Sequence, residues 1–89
     1  MRSQTTQGFR ELLSRLPTSV QESAKQAYAL FGQNPNHPSL HFKKVCTEQE
    51  IYSVRITEGY RALGAREGDT IVWFWIGSHA DYERILKGL

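Results

Sequence analysis

Up to Phe31 the apolar residues of this chain recur every three or four positions, whereas from Leu40 they come in short runs with a period near two. No single element accommodates both. Side chains return to one face of a helix after about 3.6 residues and to one face of a strand after 2.0. The chain must therefore lay a helical part against a sheet. In the first part, Phe9, Leu12, Leu13 and Leu16 form one stripe, which Pro17 stops. Val20, Ala24, Ala27 and Phe31 form a second, with Gly32 as its expected end. At the start of that second helix, Ser19 with Glu22, or Thr18 with Gln21, has capping-box spacing. The two stripes read as a helical hairpin, preceded by a short edge strand at Arg2 to Thr6. The stretch "QNPNHPS" is dense in turn formers and predicts an irregular, exposed connection.

In the second part, "LHFKKV", "IYSVRIT", "YRALGAR" and "TIVWFWI" are rich in β-branched or aromatic residues and read as strands. Glu58-Gly59 and Glu67-Gly68-Asp69 make short hairpin turns, which force successive strands to run antiparallel. The last run is apolar on both faces from Ile71 onward, so its strand is expected to be central and covered from both sides. Ser78 is a natural N-cap with Asp81 three residues on, and Tyr82, Ile85, Leu86 and Leu89 mark a closing helix. The predicted architecture is α+β, a single domain over residues 1–89. A helical hairpin packs on one face of a twisted, mainly antiparallel sheet of four to five strands, with a short C-terminal helix.

Composition narrows what such a domain can use. The 39% hydrophobic content suffices for a compact core and argues against disorder. Cys46 is the sole cysteine, which excludes an intrachain disulfide and a paired-cysteine zinc site and suggests a reducing compartment. "MRSQTTQGF" has no apolar centre of a signal peptide, and the longest apolar run, around Ile71 to Ile76, is far too short to span a membrane. The net charge of +2 permits an anionic partner without requiring one, so the placement of charge matters more than its sum.

Strand alternation sorts the charged residues. Tyr52, Val54 and Ile56 point one way, and Ser53, Arg55 and Thr57 the other. If the first set packs under the helices, Arg55 lies on the opposite face. A hairpin through Glu58-Gly59 brings Arg61 there as well. Two guanidiniums on one sheet surface form a permanently charged anion clamp; the ordinary alternative is a solvated strand face. Of the adjacent Lys43 and Lys44 only one can face a given side, and edge lysines also guard against aggregation. His79 enters a first helical turn, where free N–H groups and the helix dipole favour anions. There an imidazole is either a proton carrier or a solvated first-turn residue. Tyr82 lies on the same side of that helix, though it also begins the apolar stripe. His37 and His41 are not spaced as metal ligands, and no phosphate loop, nucleotide fingerprint or nucleophile elbow occurs.

With these residues assembled, the chain resembles the toxins of bacterial type II toxin–antitoxin modules, the RelE/ParE superfamily. The resemblance runs through "FRELLSRLP" and "IYSVRITEGYRALGAREGDTIVWFWIGSHADYERIL". It implies a cytoplasmic toxin held in check by a cognate antitoxin. In the nuclease branches the target is mRNA on the ribosome, cut without metal or cofactor. The RNA 2′-hydroxyl attacks the adjacent phosphate and leaves a 2′,3′-cyclic phosphate. Under that resemblance Arg61 is the phosphate stabiliser, Arg55 stands where some members carry a catalytic lysine, and His79 matches the C-terminal histidine or arginine. Tyr82 lies near a functional tyrosine of other branches. Lys43, Lys44 and Arg66 are the basic residues expected to contact RNA. No carboxylate or second histidine stands obviously where histidine-using branches place a partner. Two alternatives share the fold: a non-enzymatic inhibitor of DNA gyrase, and an inactive toxin-fold domain that only binds a partner.

Overall fold

A computed structural model describes all 89 residues. The elements follow in the order β1 (Arg2–Thr5), α1 (Gln7–Ser14), α2 (Thr18–Gln33), a 3-10 turn (Pro38–Leu40), β2 (Lys43–Lys44), β3 (Ile51–Thr57), β4 (Tyr60–Glu67), β5 (Thr70–Ser78) and α3 (His79–Lys87). The five strands form one sheet in the order β1-β5-β4-β3-β2. The short turns make β3, β4 and β5 an antiparallel meander, with Gly68 supplying the left-handed conformation (φ 61°) of the second turn. The expected edge strand is present, and β1 runs parallel to β5, with Arg2 opposite Thr70 and Thr5 opposite Trp73. No helix is long and apolar enough to cross a membrane.

Helices α1 and α2 cover one face. Phe9, Ala24, Ala27 and Phe31 pack on Val54, Ala62, Ile71, Trp73 and Ile76, and Tyr52 and Ile56 join them, as the alternation of β3 predicts. On the opposite face Tyr82 of α3 packs with Ile51 and Leu63, and Trp75, Ile85 and Leu86 flank them. The closing helix therefore forms a second, smaller layer.

What lets β5 serve both faces is a bulge. Leu63 pairs with Trp75 and Gly64 with Trp73, so Phe74 is an extra residue. The extra residue shifts the alternation by one. Trp73 and Ile76 reach the hairpin face, Trp75 reaches the α3 face, and Phe74 is left 37% exposed. A glycine seats each tryptophan: a Cβ on Gly64 would stand 2.6 Å from Cε3 of Trp73, and one on Gly77 2.6 Å from Cζ2 of Trp75.

Three local expectations are corrected. "LHFKKV" is not a full strand: Leu40 ends the 3-10 turn and His41 takes a left-handed conformation (φ 47°), so pairing shrinks to Lys43 and Lys44. Neither capping box forms, because α2 already starts at Thr18 with Pro17 in the cap position. Gln21 instead donates its amide to the carbonyl of Leu16 at 2.9 Å. Finally, α2 passes Gly32 and ends at Gln33.

Candidate functional site

On the α3 face, Arg55 and Arg61 are direct cross-strand partners, and Gly77 faces Arg61 from β5. Like charges directly opposite each other destabilise a sheet. Neither guanidinium has a carboxylate partner; the ion pairs present are Lys44–Glu50, His79–Glu83 and Arg84–Asp81. Gly77 carries no side chain, and the Trp75 ring takes that space where β5 passes into α3.

The turn between β3 and β4 ties the site together. Nη1 of Arg61 donates to the carbonyls of Thr57 (2.6 Å), Glu58 (3.0 Å) and Tyr60 (3.0 Å). The N–H of His79 donates to the carbonyl of Gly59 at 2.8 Å. One turn thus fixes the arginine and the start of the helix relative to each other. Ser78 is the N-cap, as its spacing from Asp81 predicts, its Oγ accepting from the Asp81 N–H at 3.2 Å. The handover from strand to helix places His79 over the sheet, its side chain 46% exposed.

Arg55, Arg61, His79 and Tyr82 line one cleft of about 150 Å³, together with Lys43. The four residues expected to carry catalysis are therefore neighbours. Their roles are not equal. The Tyr82 hydroxyl donates to Oγ of Ser53 at 3.1 Å in a buried contact, so it anchors α3 to β3. The rings of His79 and Tyr82 lie 5.7 Å apart, which leaves the histidine supported from beneath.

Of the three residues expected on RNA, only Lys43 joins the cleft. Lys44 pairs with Glu50 at 3.6 Å. Arg66 lies at the far end of β4, 5.5 Å over the ring of Tyr52, and donates Nε to the carbonyl of Gly68. Sequence reasoning missed Glu83, whose Oε1 stands 3.4 Å from Nε2 of His79. The spacing of four residues on one helix was the available signal.

On the other face an apolar groove of about 440 Å³ opens between α1 and α2, floored by Val54, Ala62 and Trp73, with Arg10 and Lys25 among its lining residues. No group of three or more His, Cys, Asp or Glu side chains is arranged to hold a metal ion.

Residues 18–84 match the family model of the ParE-like toxin domain. Three solved structures share the fold. The RelB-RelE antitoxin-toxin complex from Methanococcus jannaschii has a TM-score of 0.73 at 20% identity, over 92% of this chain and 96% of that one. The toxin-antitoxin complex RelBE2 from Mycobacterium tuberculosis has a TM-score of 0.70 at 20% identity, over 88% and 96%. YafQ from E. coli has a TM-score of 0.72 at 9% identity, over 92% and 98%. At such identities the likeness is one of fold. No curated protein matches the sequence.

Proposed function

The chain belongs to the ParE-like toxin family, and on that premise we propose that it is a toxin–antitoxin toxin that cleaves mRNA on the ribosome. The observation that carries this reading is the unpaired Arg55–Arg61 couple sharing one cleft with His79. Attack of a 2′-hydroxyl on the neighbouring phosphate builds negative charge on a pentavalent phosphorus and requires proton transfer at both ends of the reacting line. Arg61, held by the turn, and Arg55 across from it meet that charge. His79 transfers a proton. Arg55 stays protonated and acts through its charge alone. Lys43 extends the positive surface toward the flanking nucleotides, whereas Lys44, paired with Glu50, and Arg66, set over Tyr52 on the hairpin face, lie outside it.

The partner in this reading is a cognate antitoxin, supported by the two neighbours solved as toxin–antitoxin complexes. Two surfaces suit an antitoxin segment: the basic cleft with the adjoining α3, and the apolar groove between α1 and α2. The place of action is the cytoplasm, where ribosomes meet mRNA. The competing reading, inhibition of DNA gyrase without catalysis, draws on the low net charge of +2 for a protein docking on ribosomal RNA.

The test is cleavage of translated mRNA by the purified protein, with chelator present and with deoxyribose at the scissile nucleotide. Cutting persists with chelator and stops on the deoxy substrate, because the nucleophile is the 2′-hydroxyl. His79→Gln lowers the rate by about 10²–10⁴-fold. Cleavage of the deoxy substrate, or full activity of His79→Gln, refutes the mechanism. Induced expression that causes DNA damage while translation continues moves the gyrase reading ahead.

A further inference from the structure

The cleft is lined by cations, yet one of its walls is acidic. Glu83 is the sole carboxylate among nine lining residues, which include Lys43, Arg55 and Arg61. A bare carboxylate there repels the phosphate that the cations attract. The other acid of α3, Asp81, pairs with Arg84 and does not line the cleft. Glu83 instead meets His79, its Oε1 3.4 Å from Nε2 one helical turn away.

We infer that Glu83 is a positioning residue for His79, holding the imidazole by Nε2 so that Nδ1 serves the RNA. The inference rests on the nuclease reading above. In the cleavage step the 2′-hydroxyl loses its proton, the O2′–P bond forms, the P–O5′ bond breaks and O5′ gains a proton. His79 carries one of these two protons and the other is exchanged with water. While His79 holds its proton, Arg55, Arg61 and Lys43 repel the positive ring. Neither His41 nor Tyr82, which also line the cleft, is a carboxylate. Glu83 is the group that offsets the repulsion. It also fixes a ring that is otherwise half-exposed. The carboxylate thus costs some affinity for phosphate and returns a ready proton carrier.

That exchange gives the test its signature. Single-turnover cleavage is measured on ribosomes programmed with mRNA, using the full chain, Glu83→Gln, His79→Gln and the double variant. Glu83→Gln slows the saturated rate roughly fivefold, the rate equivalent of the upper range for an exposed ion pair. Its half-saturating concentration stays level or falls, because a repulsive charge is gone. In the His79→Gln background the same change causes no further loss. Thermal unfolding of Glu83→Gln matches the unaltered protein, which shows α3 intact. An unaltered rate for Glu83→Gln overturns the inference, as does a further fivefold loss without His79 or a raised half-saturating concentration at full rate. If the unaltered protein does not cut mRNA, the nuclease reading itself falls and the inference with it.

Discussion

Removing the Tyr82 hydroxyl separates what holds the site from what performs chemistry. Tyr82 and Ser53 are 4% and 2% exposed, and their hydroxyls meet at 3.1 Å. Tyr82→Phe keeps the ring and opens no cavity, so the loss is confined to the hydrogen bond and to the buried Ser53 oxygen left without that partner. An orphaned buried hydroxyl costs about 1–3 kcal/mol. For a domain of this size each 1 kcal/mol lowers Tm by roughly 4–8 °C, so Tyr82→Phe should melt about 4–24 °C below the unaltered protein. Ser53→Ala in the same chain removes the second polar partner and should recover most of that loss. Thermal melts followed by circular dichroism report all three variants. Additive losses in the double variant would refute the argument, because they would mean that the two hydroxyls do not depend on each other. Below its melting temperature Tyr82→Phe should still cleave RNA. Abolished cleavage with an unchanged melt would show instead that this hydroxyl reaches the substrate.

Arg61→Lys tests the anchored guanidinium, since an ammonium cannot both cap the turn carbonyls and reach a phosphate; cleavage should fall by about 10²–10³-fold, as for loss of a charge stabiliser. Cleavage within twofold of the unaltered protein would show that charge alone suffices. Gly77→Ala should destabilise by about 1–3 kcal/mol, because the new methyl meets the Trp75 ring at 2.6 Å and must push it into α3. A melt equal to that of the unaltered protein would mean that the ring moves freely.

How far the sequence revealed the site depended on whether a position carried contrast. In β3 apolar and polar residues alternate, so Arg55 was placed on the correct face, and the short Glu58-Gly59 turn then placed Arg61 beside it. After Thr70 the run "TIVWFWI" has no polar residue to mark a phase, so the bulge at Phe74 was invisible. That bulge is why Trp75 and Ile76 face as they do. Ser78 announced the start of α3 through its spacing from Asp81, but the sheet face that α3 covers follows from the path of β5. The shortness of β2 follows from a left-handed His41, a conformation the residue type does not announce. Glu83 was legible in principle, because its spacing of four residues from His79 sets the two on one side of α3.

The parallel pairing of β1 with β5 sets an order on how this molecule is made. Arg2 waits for Thr70, and the floor beneath α1 and α2 comes from β3, β4 and β5. Contacts between such distant segments form slowly, after the loop between them has been closed. During synthesis the two helices therefore emerge with no sheet to cover, and β1 with no neighbour. Arg61 and His79 meet only once the meander has been translated through to α3. A growing chain of this design carries no assembled cleft, and the fold itself withholds the site until synthesis has passed His79.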